Sequence, residues 1–145
     1  MPDALPLPLL PPLRDLRAEL AALAAPRAVL VLLVSRRDCP YCLEVRRNYL
    51  APLLREGDPR LVLRELESDT VDQLIDAGGQ LLPIAEVLRQ LHVNFFPTVL
   101  FLGSGSRTLA PALPGLDQAG FYGAYLEDRL QQAQAAALAS PKETI

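Results

Sequence analysis

The run "AVLVLLVS" (28–35) constrains this chain more than any other feature. It is too short to span a bilayer, which takes about 20 apolar residues. It also lacks the alternation of a strand with one wet face. It reads instead as a strand buried on both sides, of the kind found inside a mixed or parallel sheet. Such a strand needs a covering layer on each face of its sheet, so helices must come from both flanks.

The rest of the chain supplies them. Leu13, Leu16, Leu20 and Leu23 recur at helical spacing and stop at Pro26. A second helical pattern follows the strand through Leu43, Arg47, Leu50, Leu53 and Leu54, with Pro52 predicting a kink or an end just before it. "RLVLREL" (60–66) reads as a strand. Residues 68–82 are the least regular part, with a short helix expected at 70–76, a Gly-Gly turn and a small edge strand. "PIAEVLRQLHV" (83–93) opens a helix on proline, with Ile84, Val87, Leu88 and Leu91 inward. "NFFPTVLFLG" (94–103) is a strand entered through Pro97, and "RTLAPAL" after the "GSGS" turn is a weak edge strand because it contains Pro111. A last helix is expected over 117–138, with Phe121, Tyr122, Tyr125, Leu126 and Leu130 inward and the tyrosine hydroxyls at the rim. This order predicts a three-layer α/β/α sandwich with a central mixed sheet flanked by helices. The domain is drawn over 13–138, after an extended Pro-rich leader (1–12, five prolines) and before a C-terminal tail (139–145).

Both cysteines lie in one motif, "DCPYC", between the buried strand and the next helix. Pro40 suits the first helical position, which makes Cys39 the N-cap. There the free N–H groups of Tyr41 and Cys42 point at its sulfur and the helix dipole favours negative charge. Thiols so placed ionise well below the ordinary value of about 8.5. Arg36, Arg37, Arg46 and Arg47 add positive charge nearby, and Asp38 opposes it. Cys42, one turn on, is more buried and within disulfide reach. Cys39 is thus the nucleophile and Cys42 the resolving thiol. Three other roles are weaker. A zinc site needs four ligands, and His92 is the only other soft one, so no metal site is assigned. Haem attachment needs His after the second cysteine, where Leu43 stands. A structural disulfide between residues three apart closes too small a loop to stabilise much.

With "VLLVSRRDCPYCLEV", "HVNFFPTVLFL" and "LPGLDQAGFYGAYLEDRL" in this order, the chain resembles the thioredoxin superfamily over about residues 13–138. The long segment 68–93 is most similar to thioredoxin-related proteins of the bacterial cell envelope. The resemblance implies a thiol:disulfide oxidoreductase acting on protein disulfides. It implies a cis Pro97 near Cys39 and a groove formed by Pro40, Tyr41, Phe96, Pro97 and Thr98, in which the Phe96 backbone pairs with substrate. It implies no cofactor beyond the Cys39–Cys42 pair. The implied partners are protein thiols or disulfides and a protein that donates or accepts electrons. Two positions depart from the family. Leu33 stands where thioredoxins keep a buried carboxylate. Glu65 is a substitute, although a solvated strand-end charge is the weightier reading. Asp38 replaces the tryptophan before the first cysteine. Pro-Tyr between the cysteines resembles glutaredoxins, so a glutathione-dependent reductase is an alternative, but Asn94-Phe95-Phe96 replaces their Thr-Val before the proline. A non-catalytic binding module using the Phe96–Thr98 groove is the other alternative.

The remaining composition narrows partners. Net charge is −3, with no basic block and few aromatics, which argues against nucleic acid. Of 14 basic residues only Lys142 is lysine, which fits the codon bias of a GC-rich genome. No apolar run predicts membrane insertion, and the chain reads as a monomer. The first basic residue is Arg14, after Asp3, so the start does not read as a secretory signal. A periplasmic protein after signal removal is the expectation, with a cytoplasmic one as the alternative. His92 reads as a helix C-terminal residue near free carbonyls. Of Phe95 and Phe96, at least one is expected at the groove.

Overall fold

The computed structural model describes residues 9–23 and 26–139. Its axis is β1 (Val29–Ser35), in which all seven residues are buried. Side chains alternate across a strand. Val29, Val31 and Leu33 join one core with Val45, Leu50, Phe101, Tyr122 and Leu126. Leu30, Leu32 and Val34 join a second core with Leu16, Leu20, Leu74 and Val87. Two cores on opposite faces of one sheet are the three layers the sequence predicts.

α1 (Leu16–Ala21) begins at Asp15, whose carboxylate accepts from Ala18 N at 2.9 Å. After β1 come α2 (Pro40–Val45), a π turn (Arg46–Leu50) and α3 (Ala51–Glu56). β2 (Leu61–Glu67) then pairs parallel with β1. β3 (Gln73–Ile75) and β4 (Leu81–Pro83) form a separate antiparallel hairpin, followed by α4 (Ile84–Gln90). β5 (Thr98–Gly103) runs antiparallel to β1 and β6 (Arg107–Pro114) antiparallel to β5, and α5 (Tyr122–Leu138) closes the fold. The main sheet has the order β2-β1-β5-β6.

Four expectations change. Pro52 does not end the helical stretch, which runs through it into α3. The turn before it widens so that Ala51 N–H reaches back to Arg46 O, five residues away. That extra residue per turn relieves the clash a proline ring makes one turn back. Residues 70–76 carry no helix; Leu74 and Ile75 enter β3, and the Gly-Gly turn joins it to β4. Pro83 ends β4 and caps α4 rather than opening it. The last helix starts at Tyr122, and its buried stripe is Tyr122, Leu126 and Ala133, with Phe121 57% and Tyr125 46% exposed.

The N-terminal boundary also moves. Residues 1–8 of the expected leader and 140–145 of the expected tail lie outside the described residues. Leu10 is buried in the first core. Glu65 N–H donates to Pro11 O at 2.9 Å and Leu13 N–H to Glu65 O at 2.8 Å, so residues 11–13 cover the free edge of β2. The packed domain thus begins before residue 13.

Candidate active site

β1 delivers the chain to the cysteine loop, and a left-handed Asp38 (φ +53) turns it into α2. Aspartate tolerates that conformation better than most residues do. Cys39 then has extended backbone (φ −120, ψ 101) at the N-cap, and Pro40 opens the helix. Cys42 N–H donates to Cys39 Sγ at 3.2 Å. The two cysteines form a disulfide with Cα atoms 5.2 Å apart. Cys39 is half-buried and Cys42 fully buried. Only the first sulfur is therefore open to an incoming group.

Three loops gather around this motif. β1 and β5 are antiparallel, with Val34 opposite Thr98, so the cysteine loop and the Pro97 loop leave the sheet at the same end. The Phe96–Pro97 peptide bond is cis. The Arg36 guanidinium lies 5.5 Å from the Phe96 ring centroid, a cation–π contact that ties the two loops together. Gly115 (φ +71) donates its N–H to Pro97 O at 2.6 Å, which holds the third loop against the second. Gln118 in that third loop donates to the Tyr41 hydroxyl.

The expected groove residues divide by position. Pro40 and Tyr41 are exposed beside the sulfurs, and Phe96 is half-buried under Arg36. Pro97 is buried. Thr98 is 4% exposed and its hydroxyl donates to Phe95 O at 2.8 Å, so it shapes the Pro97 turn from inside. Phe95 is 68% exposed, on the surface of the same loop. His92 is exposed just after α4, at φ +58, with its N–H on Arg89 O. That is a helix-terminal position.

The arginines around the motif are largely partnered. Asp69 accepts from Arg37 N–H at 2.9 Å and lies near the Arg37 and Arg36 side chains, at 3.7 and 4.0 Å. The Arg37 N–H, helped by both guanidinium groups, holds the Asp69 carboxyl below its ordinary range. Arg46 makes a two-pronged contact with Glu65, at 2.8 and 2.6 Å, and its guanidinium also lies 3.9 Å from Glu67. The Glu65 hydrogen bonds raise the Arg46 pKa further and outweigh the opposing effect of burial. Ser35, with no exposed surface, donates to Glu65 at 2.5 Å.

Glu65 is therefore no solvated strand-end charge. Its side chain is 10% exposed and held by two partners. It pairs in register with Leu33, so it lies on the same sheet face, one strand over from the position where the resemblance expects a carboxylate. Sequence reading missed Ser35, Asp69 and Gln118 altogether. Arg46 did carry a signal: it stands four residues after the buried Cys42, which puts both on one helix face.

No family model matches the sequence, and no curated protein is similar to it in sequence. Solved structures are similar in fold. Fasciola hepatica thioredoxin superposes with a TM-score of 0.54 at 15% identity, over 83% of this chain and 99% of that one. Mitochondrial thioredoxin 3 of Saccharomyces cerevisiae gives 0.54 at 13% identity, over 82% and 93%. A reduced Schistosoma mansoni thioredoxin pre-protein gives 0.55 at 13% identity, over 83% and 92%. With its mixed sheet, its covering helices and a Cys-x-x-Cys pair at the start of α2, the chain has the thioredoxin fold.

Proposed function

We propose that the protein is a thiol:disulfide oxidoreductase that exchanges the Cys39–Cys42 pair with protein substrates. One observation carries this reading: two cysteines in one disulfide, the first half-open at a helix N-cap under the Cys42 N–H, the second sealed in the core. In the reducing direction the Cys39 thiolate attacks one sulfur of a substrate disulfide. A Cys39–substrate bond forms, and the other substrate sulfur leaves with a proton from solvent. Cys42 then loses its proton and attacks Cys39 Sγ, restoring the internal disulfide and releasing the second substrate thiol. Two electrons pass to the substrate, and a partner protein returns them. The oxidising direction runs the same steps backwards. No cofactor beyond the dithiol takes part. The proposed location is the periplasm, with the cytoplasm as the alternative; a single redox pair with no separate structural disulfide suits either compartment.

The test is the reduction potential of the pair. The protein is equilibrated in glutathione buffers, and free thiols are counted by mass-shift alkylation. A value between about −270 and −120 mV supports exchange, with the oxidants at the upper end. A value below about −300 mV marks a structural staple and overturns the reading. In the reduced protein Cys39 should react with iodoacetamide well below pH 8 while Cys42 does not. Equal, slow alkylation of both would favour a binding module without turnover.

A further inference from the structure

A cavity of about 700 Å³ lies between α2, the end of β2 and the N-terminal segment. It takes no part in the exchange steps above. Leu10, Leu13 and Leu74 give it an apolar floor. It is continuous in lining with a smaller hollow of about 420 Å³ at Cys39: Leu43, Arg46 and Glu67 belong to both. Leu43 is 40% exposed, an apolar lip between the two.

The charged walls carry Arg14, Arg46 and Arg47 against Glu65 and Glu67, a net positive lining. Arg46 is occupied by Glu65, but Arg14 and Arg47 also line the large cavity, and both are exposed. Neither is ion-paired among the described residues. Two guanidinium groups that line a leucine-floored cavity and have no ion pair among the described residues complement a ligand that is both anionic and apolar. The opening onto the Cys39 hollow says how such a ligand arrives: attached to the group whose sulfur reacts.

Resting on the oxidoreductase reading, we propose that this cavity is a substrate subsite, which takes a polypeptide segment carrying carboxylates among apolar side chains next to the reacting cysteine. The protein would then choose its disulfides by their flanks as well as by their accessibility. Arg14 and Arg47 select the charge, and the leucine floor takes the apolar side chains.

Single-turnover exchange tests it. The pre-reduced protein, in excess, supplies the two electrons from its own dithiol. The probes are disulfide-linked, self-quenched dye peptides whose cysteine is flanked by leucines alternating with glutamate, with lysine or with glutamine. At low salt the glutamate peptide should react about tenfold faster than the lysine peptide, and the gap should close toward 0.5 M salt. In the double variant Arg14→Glu/Arg47→Glu the ratio of the two rates should invert. Equal rates for all three peptides at low salt would overturn the subsite, as would an unchanged ratio in the variant. Oxidised glutathione outpacing the glutamate peptide would also overturn it. Uncharged hydroxyethyl disulfide separates the two claims. If wild type reduces it but ignores peptide charge, the subsite fails alone; if wild type does not reduce it, the oxidoreductase reading fails first.

Discussion

Replacing Glu65 by Leu should be among the most damaging single changes in this sheet. Its carboxylate is shared between Arg46, at 2.8 and 2.6 Å, and Ser35, at 2.5 Å. The Arg46 and Glu65 side chains are only 15% and 10% exposed. Removing one partner of a buried ion pair costs about 3–5 kcal/mol, because the other charge stays behind unpaired. Here the residual exposure and Glu67, 3.9 Å from Arg46, soften the loss, so about 2.5 kcal/mol is expected for Glu65→Leu and as much for Arg46→Met. The double variant carries no stranded charge. It orphans only the Ser35 hydroxyl and should lose about 2 kcal/mol. Additivity would give about 5, so the coupling between the two positions is about 3 kcal/mol. The assay is urea unfolding of the oxidised protein followed by far-UV circular dichroism, with the disulfide kept closed so that only folding is measured. For a chain of this size each single variant should also melt about 8–10 °C lower. Single variants that each lose under 1 kcal/mol, or a double variant that loses their sum, would refute the reading of Arg46 and Glu65 as a coupled buried pair between the π turn and β2.

Leu10→Ala should cost about 2–4 kcal/mol, as truncation of a buried leucine does, because Leu10 is 1% exposed in the first core; a change under 0.5 kcal/mol would return residues 9–12 to a loose leader. Tyr122 is 1% exposed, its hydroxyl has no hydrogen-bond partner among the described residues, and burial pushes its phenol pKa up, with Tyr49 adding to the effect. Tyr122→Phe should therefore be neutral or gain up to about 1 kcal/mol in the same urea assay, and a loss above 1 would show the hydroxyl in use. Asp76 accepts from Gln80 N, Gly78 N and the Gln90 side chain, and these bonds, the Gln80 N–H first, hold its pKa down. A depressed carboxyl stabilises the fold above its unfolded value of about 3.9 and loses that contribution as pH falls through the folded value. Asp76→Asn should therefore flatten the decline in urea midpoint between pH 5 and 3, and an unchanged slope would place the acid sensitivity elsewhere.

What the sequence showed, and what it hid, follows the range of each interaction. β1 was legible because burial on both faces leaves an unbroken apolar run, and the cysteine pair because strand, N-cap and first turn are contiguous. Of the β3–β4 hairpin, the Gly-Gly turn and a small strand were expected, but β3 was taken for a helix because three residues per strand are too few to display alternation, and "VDQLI" passes equally for a helical turn. The last helix was started five residues early and its inward stripe was read too wide. Tyr122, Leu126 and Leu130 are spaced by fours and Ala133 follows by three, whereas Phe121 and Tyr125 sit about 100° around the helix and stay exposed. Glu65 was misread because strand-end carboxylates are ordinarily solvated, and its partners stand 19 and 30 residues away on other elements. The site repeats this division. Its sulfurs belong to one stretch of four residues, but the surface proposed to receive a substrate is assembled from loops near residues 36, 96 and 118. These are joined by Arg36 over Phe96, Gly115 on Pro97 and Gln118 on Tyr41. Sulfur chemistry needs only the local motif. Selection among substrates needs the non-local contacts, so variants in those loops should change which disulfides react before they change whether the pair reacts at all.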